Sequence, residues 1–345
     1  MKKTLFAALA LVSMASCSNE EVLEVAQKEV IGFENAFVNN STRSVNDPSK
    51  TKDAFHTTFD VYGFVNDATL FNRIPVTNTS GTWSYETPQY WINGATYNFT
   101  AIAPSTTNLV VPKDAIQQKG NISFTYTNIS GEEDILFTRT TDIQGKPAGE
   151  NSTIQLTFNH ILSKVKFSFK NIYNVDAATI KVYDIKITNS PKKGNVVLTN
   201  DGITGAQWSW VDGNTEVATL EFGNASDSEE TSDKESAVIG FGYGKTYESL
   251  NERLLIPGAV TGGYEVEFKV DLLISGTKID TYEHTATVDF TPKAGYTYDI
   301  KAEISHSNID PDSAQDPIQF TVFAVNGWED ENEDDYSATI NTTGK

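Results

Sequence analysis

The chain has 345 residues, about two domains at usual size, and 46 acidic against 26 basic residues give it a net charge of −20. That balance repels phosphate backbones and anionic headgroups, so nucleic-acid binding and membrane attachment through a basic patch are poor expectations. Cys17 is the only cysteine, which leaves no internal disulfide, Cys-rich zinc site or later cysteine nucleophile. Hydrophobic residues at 39% and aromatics at 11% exceed what an acidic disordered chain carries and suffice for packed cores.

At the start, Lys2 and Lys3 precede an apolar run from Leu5 to Val12, and then come Ala15, Ser16 and Cys17. This is the layout of a secretory signal, and its apolar run is too short to span a bilayer. A lone cysteine directly after small residues predicts a lipoprotein signal over 1–16, with Cys17 as the acylated N-terminus. No later window offers ~18 consecutive apolar residues, so lipid is the expected anchor. Ser18-Asn19-Glu20-Glu21 resembles the export tag of surface lipoproteins in some Gram-negative anaerobes.

Ile31, Phe33 and Phe37 share one parity, which predicts a strand with one apolar face. The polar stretch from Asn39 to Lys52 follows and contains Thr42-Arg43-Ser44, an accessible site for proteolysis. A cut after Arg43 would let the upstream strand leave, baring an apolar groove and unpaired backbone groups. An added strand from another subunit would satisfy both.

The remainder reads as strands. Period-2 alternation recurs in Phe59-Val61-Gly63-Val65, Tyr97-Phe99-Ala101, Ile122-Phe124-Tyr126, Ile180-Val182-Asp184-Ile185, Tyr264-Val266-Phe268-Val270 and Tyr296-Tyr298-Ile300. Strands without intervening helices predict an all-β chain of antiparallel sandwiches; the best short helix candidate is Tyr247 to Leu255. Between Thr153 and Lys170 the apolar parity changes once, near Ser163-Lys164, which predicts a bulge or sharp bend. The Gly/Pro/polar stretch Gln144 to Asn151 marks the domain boundary, giving domains 44–150 and 151–345. The polar segment Asn224 to Ser236 is expected to be an exposed loop of the second.

Tests for chemistry yield no catalytic residue, metal site or cofactor. Gly240 to Thr246 lacks the leading glycine that lets a P-loop backbone wrap phosphates, Ile239 standing in its place. Glu132-Glu133-Asp134 could serve as glycosidase carboxylates, but adjacent acids are more simply solvated loop charge. The acidic run Asp330 to Asp335 lacks the spacing and glycine of an EF-hand loop. His160, within a strand, is expected to be a packed or hydrogen-bonded core histidine. Trp83, Tyr90 and Trp91 form either a sandwich core or edge or, alternatively, a sugar-stacking platform on a monomeric glycan-binding lipoprotein.

The chain resembles the fimbrillins, the type V pilus subunits of Gram-negative anaerobes. The resemblance rests on the signal ending at Cys17, Ile31-Gly32-Phe33 followed by Thr42-Arg43-Ser44, Trp83-Ser84-Tyr85, Tyr90-Trp91 and Tyr97 to Pro104. Leu156 to Val165, Leu255-Ile256-Pro257 and Ile318 to Val322 through Gly327-Trp328 complete it. It implies two transthyretin-like antiparallel β-sandwich domains in tandem, export as an outer-membrane lipoprotein, and an N-terminal segment 17–43 whose strand is removable. An Arg-specific protease would cut between Arg43 and Ser44, and other pilus subunits would be the partners in a fimbrium that supports adhesion. The implied donor strand lies within 316–345, where Ile318, Phe320, Val322 and Ala324 share one parity. Asp312-Ser313-Ala314 resembles the short O-glycosylation motif of such bacteria, with Ser313 as acceptor.

Overall fold

The computed structural model describes residues 29–38, 57–111, 122–146, 153–175, 177–198, 207–210, 216–222, 248–249, 252–312, 316–326 and 338–342. Among these the chain is all-β. The strands of the first half are β1 (Gly32–Val38), β2 (Thr58–Val65), β3 (Ala68–Thr79), β4 (Thr82–Ser84), β5 (Thr96–Ala103), β6 (Leu109–Val110), β7 (Ile122–Thr127), β8 (Leu136–Gln144) and β9 (Thr153–His160). Those that follow are β10 (Ser163–Asn171), β11 (Ala178–Pro191), β12 (Lys193–Leu198), β13 (Gln207–Trp210), β14 (Val217–Phe222), β15 (Glu248–Ser249) and β16 (Arg253–Leu255). The last are β17 (Tyr264–Ile274), β18 (Thr277–Val288), β19 (Tyr296–Ile304), β20 (Phe320–Asn326) and β21 (Ala338–Thr342). The segment Tyr247 to Leu255, expected as a helix, instead contributes β15 and β16, because Leu254 and Leu255 are drawn into two different cores and pair with β10.

Among the described residues, four sheets carry the fold. A seven-stranded sheet runs β1-β9-β8-β5-β2-β3-β4, and a four-stranded sheet β13-β12-β7-β6 belongs to the same half. One apolar cluster lines one face of β2, β5 and β9 through Phe59, Val61, Phe99, Leu156 and Phe158. A second cluster takes Tyr62, Ile102 and Phe137 from the other face and packs them against Phe124, Tyr126, Val196 and Leu198. Having both faces covered, β2 and β5 are buried almost without interruption, where alternation alone would suggest one wet face. In β7 the clean alternation of buried and half-buried residues survives, since only one face meets the core.

The other half is a sandwich. Its first sheet is β15-β10-β19-β20-β21, with β16 also on β10, and its second is β14-β11-β17-β18. Val165, Phe167, Phe169, Ile300, Phe320 and Val322 from one sheet interdigitate with Ile180, Val182, Phe222, Phe268 and Val270 from the other. In β11 the register shifts between Tyr183 and Lys186, where Asp184 has a φ of 52°, so Ile185 regains the core face.

The predicted parity change is a strand break. β9 ends at His160 in the first half, residues 161 and 162 bend, and β10 begins at Ser163 in the second. Leu156 and Phe158 therefore fill one core, while Val165 and Phe167 fill another. The switch between halves thus lies near residue 162 rather than 150, because β9 pairs with both β1 and β8. The β12–β13 hairpin also returns to the first half, pairing antiparallel with β7.

Candidate strand-exchange groove

The sequence places apolar Ile31 and Phe33 two residues apart, and in an extended chain such residues face the same side. Both are buried, with exposures of 0% and 3%. β1 pairs in parallel with β9, matching Gly32 to Thr153, Phe33 to Ile154 and Glu34 to Gln155; after a register shift it matches Phe37 to Thr157 and Val38 to Phe158. On its other side the segment meets the connection after β4. Val30 bridges Tyr90, Ile31 N donates to Gln89 O at 2.8 Å, and Trp91 N donates to Glu29 O at 2.9 Å. β1 and the residues just before it therefore close the gap between the two ends of the seven-stranded sheet.

The socket for Phe33 is aromatic on all sides. Its ring meets Phe59, Phe71, Tyr85 and Phe99 edge-on, with centroids 5.8–6.1 Å away, an arrangement that favours ring edges on ring faces. Gly63 is part of its wall. A Cβ there would lie 2.7 Å from Phe71 Cδ2 and 3.1 Å from Phe99 Cδ1, so the glycine leaves space for two of the four rings. Tyr85 fastens the rim by donating its hydroxyl to Ile31 O at 2.7 Å and accepting from Gln89 N at 3.2 Å. Burial raises the Tyr85 pKa, partly offset by the Gln89 N–H, so the phenol stays a neutral donor. At the outer face Thr153 Oγ1 donates to Glu34 Oε2 at 3.1 Å.

Ile31 and Phe33 thus sit in the groove, and Phe37 pairs through its backbone with Thr157 on the same strand edge. Ile318, Phe320, Val322 and Ala324 are all buried, but in the chain's own second core. There β20 lies between β19 and β21, and Phe320 meets Phe167, Phe169 and Phe268 at 5.8–6.1 Å. Cys17, Arg43, Ser44 and Ser313 lie outside the described residues, as do Gly240 to Thr246, Asp330 to Asp335 and Asn224 to Ser236.

The aromatic platform does not form. Trp91 is 6% exposed and packs edge-on against Tyr97 at 4.7 Å, Trp83 lies 4.8 Å from Phe59, and of the three only Tyr90 is exposed. His160 accepts or donates at Nδ1 with Asp134 Oδ2 across 2.7 Å, a part-buried pair that ties the end of β9 to the loop before β8. Glu132 faces Arg253 at 3.3 Å and Glu133 accepts from Asn108 Nδ2 at 3.0 Å, so the three acids diverge instead of converging on a cleft. Strand parity points to Phe99 as a core residue but misses Phe71, Tyr85 and Gly63 as walls of the Phe33 socket. Those three lie 30 to 52 residues beyond Phe33 along the chain, and no local pattern encodes the meeting.

A family model described as fimbrillin-like matches residues 42–337. The chain belongs to the fimbrillin-like family. Among solved structures, this fimbrillin-like chain is similar to a candidate cell adhesion protein from Bacteroides uniformis. Identity is 13%, coverage is 87% of this chain and 98% of that one, and the TM-score is 0.46. A candidate cell adhesion protein from Bacteroides ovatus is 14% identical over 89% of this chain and 99% of its own, with a TM-score of 0.46. The fimbrial anchor protein Mfa2 from Porphyromonas gingivalis is 11% identical over 87% of this chain and 98% of its own, with a TM-score of 0.37. No curated protein matches the sequence. The family match begins at residue 42, so the whole of β1 stands upstream of the matched segment of this fimbrillin-like chain.

Proposed function

We propose that this chain is a structural fimbrial subunit, exported as a lipoprotein through Cys17 to the outer membrane. It is cut between Arg43 and Ser44 by an arginine-specific protease and polymerised when a strand from another subunit takes the place of β1, in a surface polymer that supports adhesion. One observation carries the reading: the first strand among the described residues closes the first sheet through one parallel edge with β9 and a few backbone bonds to residues 89–91, and its buried Ile31 and Phe33 fill the groove. A cut in the segment between β1 and β2 frees that strand while leaving every other strand connected. Losing it bares a hydrocarbon socket and the N–H and C=O groups of β9, which makes the vacated groove a strong acceptor for an extended segment.

On the donating side, the useful part of 316–345 is its end. Among the described residues β20 is interior to its sheet, between β19 and β21, whereas β21 stands at the sheet's end and pairs with β20, which makes it the strand to be given up. The glycan-binding alternative loses its support with the burial of Trp91. The test replaces Arg43 by Ala in the native host and follows surface polymers on gels run without boiling. A ladder in the wild type that collapses to monomer in Arg43→Ala supports the reading. An unchanged ladder in the variant, or none in the wild type, refutes it.

A further inference from the structure

We infer that the segment which replaces β1 carries a large aliphatic residue and a phenylalanine two positions apart, with a small residue between them, and belongs to a different subunit rather than to a second copy of this chain. The inference rests on the strand-exchange reading above and names the partner that reading leaves open. β1 is the mould. Ile31 is fully buried, and Phe33 fills a socket walled by four aromatic rings, two of which, Phe71 and Phe99, pack over Gly63. Between them Gly32 lies against Thr153, where a Cβ would come 2.9 Å from the Thr153 methyl, so a bulky middle residue is disfavoured.

The releasable end of a second copy offers nothing that matches. It reads Tyr336-Ser337-Ala338-Thr339-Ile340-Asn341-Thr342. Read in either direction, its same-parity pairs with an apolar member are Tyr336 with Ala338, Ala338 with Ile340, and Ile340 with Thr342, the other two being wholly polar. Each leaves one of the two sites half-filled or occupied by a polar group, and Ala338-Thr339-Ile340 also sets a β-branched residue over Thr153. Underfilling a packed site costs nearly as much as leaving its surface wet. The segments of the tail with the right spacing, Ile318-Gln319-Phe320, Phe320-Thr321-Val322 and Phe323-Ala324-Val325, lie in or beside β20, which is paired on both sides by β19 and β21 and has Phe320 against three other phenylalanines. The groove is thus built for a foreign strand, and the chain's own tail fits a groove of different shape on another subunit. Such a chain joins unlike subunits and does not form a uniform stalk of itself.

The test uses the full chain with a site-specific protease sequence placed within residues 40–46, cut after folding so that β1 stays bound only by its contacts. Fluorescent peptides corresponding to 29–39 and 335–345 are then added and exchange into the groove is followed by polarisation. The 29–39 peptide is expected to bind roughly a thousandfold more tightly than its Phe33→Ala form, given what a lost core phenylalanine costs. It should exceed the 335–345 peptide by a similar factor, and Ile340→Phe in that tail peptide should recover part of the difference. If the two unmodified peptides bind equally, a second copy is an adequate donor and this inference falls while strand exchange stands. If no peptide enters, including 29–39, strand exchange itself fails and the inference falls with it.

Discussion

Replacing Phe33 by alanine in the intact chain isolates the grip of the fold on β1. The side chain is 3% exposed, and the rings around it come from β2, β3, β5 and the turn after β4. Those strands hydrogen-bond one another, so the wall cannot collapse onto a missing ring, and a cavity remains. Phenylalanine-to-alanine changes at such sites cost about 3–5 kcal/mol; with four rings left facing a void and little relaxation, about 4 kcal/mol is expected here. At about 1.4 kcal/mol per factor of ten, the opening of β1 becomes roughly a thousandfold more frequent. Hydrogen exchange reads this directly. Amides of β9 that face β1, between Thr153 and Phe158, should lose protection by that factor, while those of β17 in the other core stay unchanged. Protection of β9 within about fivefold of the wild type would refute the view that Phe33 is the plug, because a fivefold change corresponds to only about 1 kcal/mol.

Three further outcomes follow from the geometry. Gly63→Ala puts a methyl 2.7 Å from the Phe71 ring, and overpacking of this kind should lower stability by about 1–3 kcal/mol in a urea titration. Trp91→Ala should cost about 3–5 kcal/mol by the same assay, since the indole is core packing; a glycan-binding surface would instead lose ligand with stability intact. Burial holds the pKa of His284 below 6.5, against opposition from its hydrogen bond with the Ile309 backbone and the charge of Asp310. The unfolded state therefore takes up the proton first on acidification, so this contribution is complete above pH 6.5 and shrinks as the pH falls below it. Thermal melts of wild type and His284→Gln should accordingly differ in slope between pH 6.5 and about 5.5, with the variant flatter.

Local periodicity makes most strands legible, and it does so for a physical reason. Apolar residues two apart share a face, and every run from Phe59-Val61 to Tyr298-Ile300 lies in a strand, although β2 and β5 are buried on both faces and β11 shifts its register at Asp184. The bend after His160 is visible for the same reason, since a chain that passes from one core to another must change parity. What stays hidden is nonlocal. The β12–β13 hairpin returns to β7 because Val196 and Leu198 complete a core begun far earlier in the chain, and composition marks no such return. Leu254 and Leu255 look helical in isolation, but burial in two separate cores sets them in a strand. Trp91 beside Tyr90 suits platform or core by sequence, and the Tyr97 ring packed against its indole decides for core. In the groove, the plug is legible in Ile31-Gly32-Phe33, whereas the socket is not, because its rings are gathered from four parts of the chain.

The most direct test of the account is the N-terminus of the assembled form. Surface polymers isolated from the native host and analysed by mass spectrometry should yield subunits of this chain that begin at Ser44 and contain no peptide from residues 29–38. Polymers whose subunits still carry the segment from Glu29 to Val38 would show that β1 never leaves, and would contradict assembly by strand exchange.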